Sequence, residues 1–178
     1  MTGENTIMSD VAMVWRDMQQ GDLAAVLAIA ARVHPDYPES PAVFSERLHL
    51  FAAGCRVAVD ARDAVHGYAI THPAMLGHPP ALNSLLLHLP PQADCLYLHD
   101  VAILPTVRQF GLGARLVALI EQHARALQVG YAALVAVNNS GDYWRRHGFS
   151  DYAGTDAALR KKIASYDDSA QYLVLALP

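Results

Sequence analysis

The segment that most constrains the fold runs from Cys95 to Val137. It opens with CLYLHDVAI, a run of apolar, aromatic and β-branched residues that predicts a strand over 95–103. After Pro105, the stretch VRQFGLGARL carries Gly111 and Gly113 into a helix predicted from Gly111 to Leu127. Gly130 then precedes YAALVAV, an apolar strand over 131–137. A strand, a glycine-bearing turn and an amphipathic helix in this order place the start of that helix at one end of a sheet.

The remaining elements extend the same sheet. Val11 to Met18 reads as a strand, and Asp22 is placed to cap a helix over LAAVLAIAARV. Ser40 and Pro41 mark a second helix, with Ser40 as N-cap and proline at the first helical position; Gly54 stops it after about Ala53. CRVAVDA and VHGYAITH predict a hairpin. Towards the C-terminus come a short helix over Asp142 to His147, strand segments over Phe149 to Tyr152 and Gln171 to Ala176, and a solvated helix face at Arg160, Lys161 and Lys162. Early strands pair antiparallel and later ones alternate with helices. The expected class is therefore mixed α+β, with one central, mostly antiparallel sheet and helices on both faces.

One segment does not fit a simple connection. Residues 73–94 are too long for an idle loop. Leu82, Leu85, Leu86 and Leu89 follow helical spacing between Pro79-Pro80 and Pro90-Pro91, which predicts a short helix in an insert. It reads either as an extra packed helix or as a lid shaping a substrate pocket. Residues 1–10 read as a disordered tail, and 11–178 as one domain containing this helical insert.

Composition narrows the function classes. A chain of 178 residues with 53% hydrophobic and 17% charged residues is globular and suits one core. Its net charge of −4 argues against nucleic acid as a partner. The two cysteines, Cys55 and Cys95, form no CxxC pair and read as reduced thiols. Nine histidines include no HExxH, so no metal is expected. MTGENTIMSD lacks the basic and apolar regions of a signal peptide, and no apolar run approaches the ~20 residues of a membrane span. A soluble, cytoplasmic protein is the expectation.

The glycine pair raises the prospect of a phosphate site. A helix N-terminus presents unpaired N–H groups and partial positive charge, and glycine lets an anion approach the backbone. Arg108 adds a formal charge beside it. Ala114-Arg115-Leu116 after Gly113 excludes a GxxxxGK[ST] loop, and Leu116 replaces the third glycine of a dinucleotide fingerprint.

The stretch DVAILPTVRQFGLGARLVALIEQHAR resembles the pyrophosphate-binding motif of the GNAT acyltransferase superfamily, R/Q-x-x-G-x-G/A, at Arg108, Gly111 and Gly113. Val101 and Pro105 match the family's V-x-x-x-P strand end. WRDMQQGDLAAVLAIA, with Arg16 and Asp22, is similar to its first strand and helix, and NNSGDYWRRHGF to its C-terminal segment. The resemblance covers most of residues 12–152 in order. It implies acetyl-CoA, or another acyl-CoA, as co-substrate without a metal. Backbone N–H groups of Arg108, Gln109, Phe110, Gly111, Leu112, Gly113 and Ala114 would hold the pyrophosphate. Backbone at Val101, Ala102 and Ile103 would pair with the pantetheine arm, and Asn138 or Asn139 would contact CoA.

The resemblance implies transfer of an acetyl group to a primary amine of a small molecule, by direct attack in a ternary complex. An alkylammonium with a pKa near ~10.4 must first lose a proton, so a base is required. His99 and Asp100 are the ionisable pair on the strand leading to the loop. Strand neighbours point to opposite faces, so one of the two is expected in the cleft. The family's acid is a tyrosine four residues before the glycine of the GF pair; here that position is Trp144, and Tyr143, one residue earlier, is the candidate acid. Such a step turns a helical side chain by roughly 100°. The alternatives are a CoA-binding or sensing module with little catalysis, and a peptide or protein N-acetyltransferase. Family resemblance also favours a homodimer.

Overall fold

A computed structural model describes residues 12–154 and 156–178; the predicted tail over 1–10 lies outside them. Among the described residues seven strands form one sheet in the order β1-β2-β3-β4-β5-β7-β6. They are β1 (Val14–Asp17), β2 (Cys55–Val59), β3 (Val65–Ala74), β4 (Cys95–Ile103), β5 (Tyr131–Ala136), β6 (Ser150–Asp151) and β7 (Gln171–Ala176). Helices α1 (Leu23–Val33), α2 (Pro41–Leu50), α3 (Leu112–Ala126), α4 (Gly141–Arg146) and α5 (Ala157–Ala164) complete it. All neighbouring strands run antiparallel except β4 and β5, which are parallel and joined through α3. The expected mixed fold is present.

Alternation along the strands sorts the core onto two faces. Tyr68 and Ile70 of β3 pack with Val26, Ile29, Phe44 and Leu48 of α1 and α2. Ala69, between them, joins Leu96 and Leu98 of β4 against Leu116, Ile120 and Ala124 of α3. This is the period of two that a sheet covered on both faces requires.

Strand β4 breaks that alternation. Ile70 pairs with Asp100 but Thr71 pairs with Leu98, so His99 is the extra residue of a β-bulge. Leu98 therefore faces α3, whereas Ala102 faces α1 and α2. At this bulge β4 and β5 part: their parallel pairing ends at Leu98 and Leu134, although both strands continue.

The insert departs from the predicted helix. Among the described residues between Ala74 and Cys95 no helix forms, and Asn83 (φ 54°) and Leu87 (φ 65°) take left-handed conformations that interrupt one. The backbone groups find partners in the preceding chain instead. The Glu46 carboxylate accepts from the N–H groups of Leu86 and Leu87, each at 2.8 Å. Arg47 donates to the Ser84 carbonyl at 2.9 Å. Helical spacing of leucines was outweighed by the prolines at each end and by these contacts to α2.

Smaller differences sit at helix ends. Helix α2 stops at Leu50 and a 3₁₀ turn covers Ala52–Gly54. Neither Asp22 nor Ser40 caps through its side chain. Asp22 instead accepts two hydrogen bonds from Arg16, at 2.7 and 3.0 Å. Cys55 and Cys95 are both free and buried.

Candidate functional site

The divergence of β4 from β5 opens a cavity of about 660 Å³, bounded by His34, Glu39, His99, Asp100, Arg108 and Tyr143, among others. The strand backbone on the β5 side of β4 lacks a ladder partner beyond Leu98. This is the edge to which Val101, Ala102 and Ile103 belong. The Ala102 side chain is buried in the core, so only its backbone is available. The Val101 carbonyl is already engaged, accepting from His34 Nε2 at 2.9 Å.

The glycine loop lies at the same cavity. A 3₁₀ turn over Pro105–Phe110 leads into α3, and Gly111 sits at its N-cap with φ 68°. A Cβ built on Gly111 would have no heavy atom within 4 Å, so the approach to its backbone is open. Leu112 is fully buried and anchors the helix start, leaving the N–H groups of Leu112, Gly113 and Ala114 as first-turn donors without helical partners. The Arg108 side chain is fixed by a 3.1 Å hydrogen bond to the Ile103 carbonyl, and Gln109 donates to the Thr106 carbonyl at 3.0 Å. Phe110 packs against the cluster of Val107 and Leu112.

His99 and Asp100 both line the cavity, contrary to the expectation that only one would. The bulge is the reason: it places two successive side chains on the face turned towards α1 and α2. Asp100 Oδ2 accepts from the Tyr68 hydroxyl at 2.6 Å, and Oδ1 lies 3.4 Å from His34 Nε2. Burial pushes the Asp100 carboxyl above its ordinary range, against the His34 charge and the Tyr68 hydrogen bond, which pull it down. His99 Nε2 lies 2.8 Å from Glu39 Oε2. Burial works against ionising Glu39, but the His99 hydrogen bond and charge outweigh it and hold the carboxyl below its usual value.

Tyr143 lines the same cavity at its Gly113 side. Its hydroxyl lies against Gly113, where any Cβ would overlap it, and its ring packs edge-on against His147 at 4.7 Å. Burial raises its pKa, opposed by Arg108 and Arg146. The predicted acid is thus directed towards the start of α3, and Trp144 is turned into the core beside Phe149. Asn138 and Asn139 both adopt φ 54°, ending β5 in a left-handed turn that asparagine tolerates; Asn138 lines the cavity.

His34, Glu39 and Tyr68 were not foreseen. His34 and Glu39 belong to the connection between α1 and α2, and Tyr68 to the strand beside β4. The local sequence carries no signal for them, because their relation to β4 is made by packing. Among the residues lining the cavity, Arg108 is the one Lys or Arg, facing the acids Asp36, Glu39 and Asp100. Among the described residues no cluster of three or more His, Cys, Asp and Glu is placed to hold a metal, and no helix is long and apolar enough to cross a membrane.

Residues 23–149 match the acetyltransferase (GNAT) family. No curated protein sequence matches the chain significantly. Similar solved structures include GphF, a GNAT-like decarboxylase in complex with isobutyryl-CoA, with a TM-score of 0.74 and 18% identity over 93% of this chain and 100% of that one. The NatC complex bound to Gag peptide and CoA gives a TM-score of 0.69 and 16% identity over 93% and 99%. YhbS from Escherichia coli in complex with CoA gives 0.60 and 16% over 94% and 83%. At such identities the likeness is one of fold, and the family rests on the sequence match. From the strand, the glycine loop and the match over 23–149 together, the chain belongs to the acetyltransferase (GNAT) family.

Proposed function

We propose that the protein is an acyl-CoA-dependent N-acetyltransferase that acetylates a primary amine of a small molecule by direct attack in a ternary complex. The observation that carries this reading is the bulge at His99, which brings His99 and Asp100 to one face where β4 and β5 part. The co-substrate is an acyl-CoA. Its pyrophosphate takes the first-turn N–H groups of α3 beside Arg108, and its extended pantetheine adds to the free edge of β4. The thioester then lies beside the His99–Asp100 pair.

The acceptor arrives as an ammonium, attracted by the acids of the cavity, and gives one proton to the His99–Asp100 pair. Its freed lone pair forms the C–N bond at the thioester carbonyl. A strand N–H on the free edge supports the oxyanion. The C–S bond breaks, and the remaining excess proton on nitrogen leaves with the thiolate as CoA thiol.

The Tyr143 hydroxyl against Gly113 favours a second reading, a CoA-binding module with little catalysis, because the candidate acid is engaged at the start of α3. The peptide held by the NatC complex is the reason to keep peptide amines in the acceptor screen. Calorimetry with acetyl-CoA and CoA, beside ADP and NAD controls, tests the co-substrate. A screen of amines and peptides for thiol release tests the reaction. Asp100→Asn and His99→Ala are expected to lose turnover and keep CoA affinity; binding without turnover in the unaltered protein supports the second reading.

A further inference from the structure

Glu39 lies in the connection between α1 and α2, outside every motif of the family resemblance, yet it meets His99 across 60 residues of sequence. Both side chains are almost fully enclosed, at 5% and 4% exposure. The other Glu39 oxygen accepts from the Asn83 N–H at 2.8 Å. The Asn83 side chain in turn accepts from the Ser40 N–H at 2.7 Å, ahead of α2. The insert thus holds the carboxylate in one orientation.

We propose that Glu39 is a positioning residue for catalysis: it fixes the proton of His99 on Nε2 and leaves Nδ1 as the basic nitrogen that takes the acceptor's proton. This rests on the acetyltransferase reading above and assigns the base within it. The reasoning is one of donors and acceptors. An ionised carboxylate only accepts, so the nitrogen 2.8 Å from it carries the hydrogen. Neutral imidazole has one N–H, so the lone pair then belongs to Nδ1. That atom has no hydrogen-bonding partner among the described residues and is covered by protein. Since His99 lines the cavity, a small shift of the side chains covering the ring as acyl-CoA and acceptor enter is what brings Nδ1 into reach. Asp100 is less suited, since one of its oxygens is taken by the Tyr68 hydroxyl.

The other groups around His99 leave Glu39 as its direct charged partner. The His72 ring of β3 is 6.0 Å away, and burial pushes its pKa to about 3, so it is neutral. The Tyr97 ring is 6.4 Å away, and burial keeps its phenol protonated. Asp100 follows on the same strand. Arg47 of α2 is fully buried and paired with Glu46. Tyr166, which precedes β7, acts through its hydrogen bond with Tyr97. In the reaction, one ammonium proton passes to Nδ1 while the Nε2 hydrogen stays with Glu39. The resulting imidazolium is stabilised by the carboxylate and returns its proton to solvent after release of product.

Two measurements test this on the full chain. NMR of isotope-labelled histidine distinguishes the ring tautomers, with His99 assigned from the spectrum of His99→Gln. At about pH 8, His99 is expected as the Nε2–H tautomer because Nε2 faces the Glu39 carboxylate, and Glu39→Gln should lose that preference. Signals showing Nδ1–H, or both nitrogens protonated, would overturn the proposal whether or not an acceptor has been found. With an active amine, Glu39→Gln should lower kcat about 10- to 100-fold, as losing an orienting partner commonly does. The acidic limb of its kcat/KM profile should move to lower pH, because an uncharged amide replaces the carboxylate that meets His99. Glu39→Asp should recover part of both changes. An unmoved limb with a lower Tm and a changed KM for acyl-CoA would show a merely structural role and sink the assignment. If no amine is turned over by the unaltered protein, the acetyltransferase reading fails while the NMR result still decides the role of Glu39.

Discussion

Tyr68 and Asp100, neighbours across β3 and β4, share a 2.6 Å hydrogen bond in which the buried phenol donates to the carboxylate. The bond sits beneath the cavity, so it links the stability of the sheet to the charge of a proposed catalytic group. Removing the donor with Tyr68→Phe leaves the carboxylate short of a partner and is expected to cost about 1–3 kcal/mol, read from denaturant unfolding. An unchanged midpoint would show that water replaces the hydroxyl without loss.

Asp100 also gives a pH dependence. Burial raises its folded-state pKa above the unfolded value, against His34 and Tyr68. A group raised in this way contributes stability that is present below the unfolded pKa and lost as pH rises through the folded one. Asp100→Asn removes the cost of ionisation and should raise Tm at neutral pH, while the gain shrinks towards about pH 4. Thermal melts across that window check it; a variant that melts lower at neutral pH contradicts the sign.

At the glycine loop, Gly111→Asp is expected to fold, since the space around the Cβ is open and aspartate tolerates a φ near 68° better than most residues. A carboxylate at the start of α3 would repel pyrophosphate. The affinity for acetyl-CoA should fall by more than about tenfold, or ~1.4 kcal/mol, in calorimetry. Wild-type affinity in a folded variant would remove the loop from the CoA site.

Tyr143→Phe tests where the tyrosine acts. Its hydroxyl lies against Gly113, away from the bulge, so kcat is expected to change less than the ~100-fold minimum typical of a lost general acid. Steady-state kinetics with the best amine decide the point, and a loss beyond that threshold would identify the tyrosine as the acid.

The insert depends on Glu46, whose carboxylate accepts from Leu86 and Leu87 and pairs with fully buried Arg47. Glu46→Ala strands that guanidinium and should cost about 3–5 kcal/mol. Hydrogen exchange at the Leu86 and Leu87 amides should accelerate together with the lower melting point. Retained protection there would mean that the insert is held by its leucines instead.

Local sequence was enough for the order of strands, for the helices outside the insert and for the turn at Gly111. These rest on side-chain alternation, on proline and glycine, and on hydrophobic spacing, all of which act within a few residues of one another. That is why β4 spans the predicted residues 95–103 and α3 begins beside Gly111. The insert shows the limit of the same rules, since its leucine spacing was overruled by Glu46 and Arg47 from another element. Which side chains of β4 face the cavity was likewise decided by tertiary structure. The bulge at His99 is a property of how β3 pairs with β4, and no residue of β4 announces it. Glu39, His34 and Tyr68 reach His99 and Asp100 only because the sheet and helices have packed. Short-range chemistry thus determined the elements, whereas long-range pairing and burial decided which side chains face the cavity and with what charge.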